Sequence, residues 1–131
     1  MNNIATSVIK VLIVEDESAI YNFCLRALAE FGFDVDIATN GRIARDMIKR
    51  KEYDLCIVDI RTPEMNGKEL YEWCLEEKPY QANNIIFTTG DITGEETENF
   101  INQSGAMFLP KPFTTEELRN AVRKYFEVEA R

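Results

Sequence analysis

Histidine is absent from this 131-residue chain, and cysteine occurs only three times, at Cys24, Cys56 and Cys74. With no histidine and no close cysteine pair, a zinc site is not expected. Each cysteine sits in an apolar pattern and reads as a small buried hydrophobe in a reducing compartment. No Lys/Arg stripe with interleaved aromatics appears, and the net charge of −8 repels phosphate backbones, so direct nucleic-acid binding by this chain is not expected. No apolar run approaches membrane-spanning length, and the opening "MNNIATS" lacks the basic and apolar regions of a signal peptide. The expected location is cytoplasmic, without membrane insertion. Linkers, repeats and low-complexity segments are missing too. Residues 1–7 are expected to be a flexible N-terminus and residues 8–128 one domain, large enough to bury roughly two-thirds of its unfolded-chain surface.

What is present is an alternation of short β-branched runs with segments of helical period. Strands are predicted over residues 8–14, 33–38, 54–59, 84–89 and 106–110, most of them almost wholly apolar, as strands covered on both faces should be. Between them apolar residues recur at three and four: Ile20, Phe23, Cys24, Ala27, Leu28 and Phe31; Ile43, Ala44, Met47 and Ile48; Leu70, Trp73 and Cys74; and Leu118, Ala121, Val122, Tyr125 and Phe126. The helix predicted over 93–103 is the weakest, with Phe100 and Ile101 as its bulky anchors after a run of acids. Five βα units imply a doubly wound parallel α/β sheet, because right-handed crossovers leave few other arrangements.

Ligands of such sheets bind outside the carboxyl ends of the strands. Those ends carry Glu15, Asp16 and Glu17 after the first strand, Asp59 at the third, Thr88, Thr89 and Gly90 at the fourth, and Lys111 after the fifth. Lys111 stands between Pro110 and Pro112; neither neighbour offers an N–H, and Pro112 biases the lysine toward an extended conformation. Glu15, Asp16 and Asp59 crowd carboxylates into one crevice, an arrangement strained unless a hard divalent cation neutralises it, and oxygen-only ligands favour magnesium over zinc. A lysine and a threonine hydroxyl beside such a metal suit a phosphoryl group.

Taken in register, these residues resemble the receiver domain of response regulators in two-component signalling, a CheY-like family, over nearly the whole chain. The fold implied is a flavodoxin-like (βα)5 three-layer sandwich with strand order 2-1-3-4-5. Glu15-Asp16 matches the family's metal-binding acids, and Asp59 followed by "IRTPEMNG" matches the phospho-acceptor aspartate with its downstream Pro and Gly. Thr89 before Gly90 resembles the switch hydroxyl, with Thr88 as its rival. Lys111-Pro112 resembles the family's lysine and following proline, whose peptide is commonly cis. The resemblance implies phosphoryl transfer to Asp59 from a histidine kinase or a histidine phosphotransfer protein. Mg2+ would be held by Asp16, Asp59 and the Arg61 backbone carbonyl, with Glu15 acting mostly through water. Lys111 and Thr89 would grip the phosphoryl oxygens. Phe108 takes the place where the family more commonly has tyrosine, so a switch there works through ring packing alone. Arg61 and Asp91 flank the path of the attacking water and are expected to tune the lifetime of the phosphoryl group.

The role implied is signalling, not enzymatic, apart from promotion of phosphorylation and dephosphorylation at Asp59. A downstream protein target and a monomer or weak homodimer are expected. The chain reads either as a stand-alone receiver or as one cut from a longer kinase or regulator. A flavodoxin-type protein would need hydroxyls and glycine where "EDES" stands, and a dehalogenase-type phosphatase needs a second acid where "DIRT" supplies Arg61. A degenerate receiver that only binds partners is opposed by intact Glu15, Asp16, Asp59, Thr89 and Lys111.

Overall fold

Strand alternation and helical periodicity assemble into three layers in the computed structural model, which describes residues 8–90 and 94–129. The order is β1 (Lys10–Val14), α1 (Ser18–Ala29), β2 (Asp34–Ala38), α2 (Gly41–Arg50), β3 (Leu55–Asp59), α3 (Gly67–Glu77), α4 (Pro79–Ala82), β4 (Ile85–Thr89), α5 (Glu95–Ser104), β5 (Met107–Pro110) and α6 (Thr115–Glu129). The expectations for residues 1–7 and for Asp91 lie outside the described residues.

All four strand pairings are parallel, in the order β2-β1-β3-β4-β5. Chain order reverses at β1, which pairs Ile13 with Ile37 of β2 on one side and with Ile57 of β3 on the other. Successive side chains point to opposite faces, so each strand feeds two cores. Leu12, Val14, Cys56, Val58 and Phe87 pack with Ile48, Leu70, Cys74 and Phe100 from α2, α3 and α5. Val11, Ile13, Leu55, Ile57 and Ile86 pack with Cys24, Leu28, Leu118, Val122 and Tyr125 from α1 and α6. Full burial of each such aliphatic side chain stabilises the fold by about 1.5–3 kcal/mol. The three cysteines are free and buried in these cores.

Local chemistry fixes the helix starts near the carboxyl edge. Asn40 caps α2, accepting from the Ile43 N–H at 2.8 Å, and Asn66 and Glu69 form a reciprocal capping box on α3. Gly41 has no alternative: a Cβ there would lie 1.7 Å from the Met65 carbonyl oxygen. The loop after β3 therefore lies directly on the start of α2.

Several details depart from the periodicity. β1 begins at Lys10, two residues later than the apolar run. A short α4, with Pro79 in its first turn, joins α3 to β4; it is held by Gln81, whose side chain accepts from the Tyr53 N–H and donates to the Tyr53 carbonyl, both at 3.1 Å. Ile43 belongs to the apolar stripe of α2 yet is 42% exposed. Phe31 lies beyond the end of α1, where Gly32 turns the chain at φ 89°, and its ring packs under the Arg119 guanidinium at 4.8 Å. Among the described residues no helix is long and apolar enough to cross a membrane.

Candidate functional site

The reversal of strand order opens a crevice at the carboxyl edge between β1 and β3, and the acids lie there. Glu15 continues β1, its N–H donating to the Ala38 carbonyl at 3.0 Å, and it is only 3% exposed. Asp59 ends β3 at 5% exposure, while Asp16 is exposed at the rim. One carboxylate oxygen from each of Glu15, Asp16 and Asp59 falls within 4.8 Å of the other two. Like charges that close repel by roughly 3 kcal/mol at an effective dielectric of about 20.

Lys111 supplies the compensation available within the chain. Its Nζ donates to Glu15 Oε1 at 2.7 Å and to Asp59 Oδ2 at 3.1 Å. The second oxygen of each acid is held by backbone: Glu15 Oε2 accepts from the Glu17 N–H at 3.1 Å, and Asp59 Oδ1 from the Arg61 N–H at 3.0 Å. Burial pushes the Glu15 carboxyl above its ordinary value against the pull of Lys111. Burial alone would lower the Lys111 ammonium, but its hydrogen bonds to Glu15 and Asp59 outweigh it and hold the pKa above the usual lysine value. Three carboxylates still face one ammonium, and every donor is a hard oxygen. That set fits a hard divalent cation.

The remaining site residues surround this cluster. The Lys111 N–H donates to the Thr89 carbonyl at 3.0 Å, which joins the end of β5 to the end of β4; the Lys111–Pro112 peptide is cis. Thr88 and Thr89 are both buried, and alternation along β4 gives Thr89 the same face as Phe87. Phe108 pairs with Phe87 in register and is half-buried against that face. Arg61 is exposed in the loop after β3. A cavity of about 390 Å³ lies between that loop and α5, lined by Arg61, Thr62, Lys68, Glu96 and Phe100 among others. On the other side of Lys111 an apolar hollow of about 290 Å³ is lined by Ile20, Phe23, Pro112 and Phe113.

Sequence reading marked the downstream Gly67 but missed the other supports of this site. Thr62 is buried and its hydroxyl donates to the Met65 carbonyl at 2.9 Å, shaping the loop after Asp59. A Cβ on Gly67 would come within 2.8 Å of the Ile60 Cα, and the Gly67 N–H donates to the Ile60 carbonyl at 2.9 Å. Rings of Tyr71, Phe87 and Phe100 meet edge to face at 5.0–5.9 Å beneath the cavity. The Asn66-x-x-Glu69 spacing was the signal available for the loop's end; the ring cluster has none, because it joins three elements.

A parallel sheet in this order, with three acids and a lysine at its switch point, defines the receiver class, and the family description "Response regulator receiver domain" matches residues 11–123. The chain belongs to that family, whose members act in two-component systems. It is 34% identical over 117 residues to the transcriptional regulatory protein CusR of Escherichia coli K12, covering 87% of this chain and 49% of CusR. The chain thus spans about half the length of that relative. Among solved structures it resembles a CheY-like receiver domain protein from Methanospirillum hungatei JF-1, at 28% identity and TM-score 0.84, covering 95% of this chain and 98% of the other. It also resembles the receiver domain of sensor histidine kinase PA1611 from Pseudomonas aeruginosa PAO1, solved with a magnesium ion coordinated in the active site cleft. That likeness is at 26% identity and TM-score 0.78, over 91% of this chain and 98% of the other.

Proposed function

We propose that the chain accepts a phosphoryl group on Asp59 from a phosphohistidine of a histidine kinase or phosphotransfer protein, and that the modification alters a protein-interaction surface. The observation that carries this reading is the Lys111 ammonium held between Glu15 and Asp59 in a three-carboxylate cluster. An Asp59 oxygen attacks phosphorus, the P–N bond of the donor breaks, and the imidazole leaves with the electron pair. The product is an acyl phosphate. Lys111 then exchanges its carboxylate contact for phosphoryl oxygens, and the Thr89 hydroxyl donates to another of them. Glu15, Asp16, Asp59 and the Arg61 carbonyl would hold magnesium, which supplies neutralising charge when bound; the magnesium of the Pseudomonas neighbour supports this assignment. An intact cluster with its lysine disfavours a receiver that only binds partners.

Movement of Thr89 toward the phosphoryl group leaves room for Phe108, which answers by ring packing because it has no hydroxyl. The apolar hollow beside Lys111 supports docking of the donor protein there. Arg61, together with Asp91, limits access of water and so sets the phosphoryl lifetime. The protein acts in the cytoplasm as a monomer or weak homodimer.

Magnesium and acetyl phosphate should add one phosphoryl mass to the wild type and none to Asp59→Asn; an unchanged wild-type mass, or equal labelling of the variant, overturns the assignment. Hydrogen exchange should change along α5 on phosphorylation. Protection changes confined to the neighbourhood of Glu15 and Asp59 would exclude the Thr89–Phe108 route.

A further inference from the structure

A groove of about 530 Å³ lies at the amino edge of the sheet, bounded by the start of β1, the end of α2 and the α3–α4 junction. Five of the chain's fifteen Lys and Arg side chains line it, Lys10, Lys49, Arg50, Lys51 and Lys78, against two of its twenty-three acids, Glu52 and Asp54. Lys51 is satisfied by Asp36 at 2.9 Å, and Asp54 is engaged by the Lys10 backbone N–H at 2.8 Å. Among the described residues, Lys10, Lys49, Arg50 and Lys78 make no side-chain ion pair, whereas Arg42, Arg45, Lys111 and Arg119 each reach a carboxylate. In a chain of net charge −8, four cations that form no close ion pair with a described carboxylate converge on one groove.

Helix ends account for the tolerance of this charge. Lys49 and Arg50 occupy the last turn of α2 and Lys78 caps α3, where the helix dipole favours a cation without neutralising it. Apolar surface is present as well. Tyr80 and Val8 line the same groove at 55% and 53% exposure, the two most exposed large hydrophobic side chains among the described residues.

We infer that this groove docks an acidic polypeptide segment, its carboxylates against Lys10, Lys49, Arg50 and Lys78 and an apolar or aromatic side chain against Tyr80 and Val8. Charge complementarity sets the sign of the partner, and the exposed apolar pair sets its amphipathic character. A long polyanion such as nucleic acid fits less well, because the acidic remainder of the chain repels it. The groove lies at the opposite edge from Asp59, so its occupation is independent of the phosphoryl reading.

Amide spectra of the isotope-labelled full chain test this against four probes: a glutamate-rich peptide carrying one phenylalanine, its lysine-rich counterpart, a single-stranded oligonucleotide and phosphatidylserine vesicles. The glutamate-rich peptide alone should move the signals of Lys10, residues 49–52, Lys78 and Tyr80, and its binding should weaken as salt rises. Lys49→Gln with Arg50→Gln should lower its affinity by about tenfold, and Lys78→Gln, on another element, by about threefold. Both variants should retain magnesium-dependent labelling at Asp59. Signal changes centred elsewhere, equal binding of the lysine-rich peptide, tighter binding of the oligonucleotide or vesicles, or unchanged affinity in both variants would each overturn the inference.

Discussion

At the carboxyl edge of the sheet Lys111 lies within 3.1 Å of two carboxylates, whereas at the amino edge Lys49, Arg50 and Lys78 make no ion pair with a described residue. The difference follows burial. The Lys111 side chain is only 13% exposed, and a charge removed from water must be matched by another charge or by hydrogen bonds. At the amino edge Lys10, Lys49 and Arg50 are exposed at the first strand residue and a helix end and Lys78 is half-buried at another, and at exposed positions pairing contributes only about 0–1 kcal/mol. Between these two edges compensation follows depth, although exposed cations elsewhere, such as Arg42 beside Glu64, also reach a carboxylate.

Breaking the buried pairing should have the largest effect. Lys111→Met leaves Glu15 and Asp59 facing each other without an ammonium, and should destabilise the divalent-free protein by on the order of 3 kcal/mol in urea unfolding. Adding Asp59→Asn to that variant should recover part of the loss; no recovery would mean that Lys111 acts through packing. Next in size is Gly41→Ala, whose new methyl meets the Met65 carbonyl and should cost about 1–3 kcal/mol. Its effect should also appear as slower phosphoryl labelling, because the displaced loop carries Arg61.

A half-buried ion pair sharpens the comparison from between the extremes. The Tyr53 hydroxyl donates to Asp36 Oδ2 at 2.7 Å, and Lys51 reaches the same oxygen at 2.9 Å. The hydrogen bond from Tyr53, more than Lys51, holds the Asp36 carboxyl below its ordinary value. Stability from this group is present above the unfolded carboxylate pKa and lost as pH falls through the depressed folded one. Tyr53→Phe should cost about 1 kcal/mol at neutral pH, and the difference from wild type should shrink on acidification; an offset constant with pH would assign the loss to packing. The smallest effect belongs to the amino edge, where Lys49→Gln should leave stability within about 0.5 kcal/mol. A larger fall would show that the groove cations have partners within the chain.

Much of this organisation is legible in the sequence. Strand bounds fell within two residues of the observed ones, because fully apolar runs such as "LCIVD" admit few other readings once they alternate with helical stripes. Glu15, Asp59 and Lys111 were legible as strand-end residues, and strand order brings them together. Their contact pattern was not. The shortest ion pair of Lys111 is to Glu15, 96 positions away, and it depends on the depth of both side chains. Phe31 and Ile43 belong to the apolar stripes yet are exposed, because periodicity marks a stripe without saying where the neighbouring element ends. Gly41 carried no signal of its own in the sequence; its need for a bare Cα arises from a loop twenty-four residues further on, to which no local pattern refers.

The absent side chains at Gly41 and Gly67 give the surroundings of Asp59 a directional stiffness. On one side the loop bears on the starts of α2 and α3 with no slack, since a methyl on Gly41 would lie 1.7 Å from the Met65 oxygen and one on Gly67 2.8 Å from the Ile60 Cα. On the other side the same loop borders the cavity of about 390 Å³ that separates it from α5, a helix seated in the core by Phe100. Above the strand ends the loop therefore meets close packing toward α2 and open volume toward α5, so the room for it to shift lies on the α5 side.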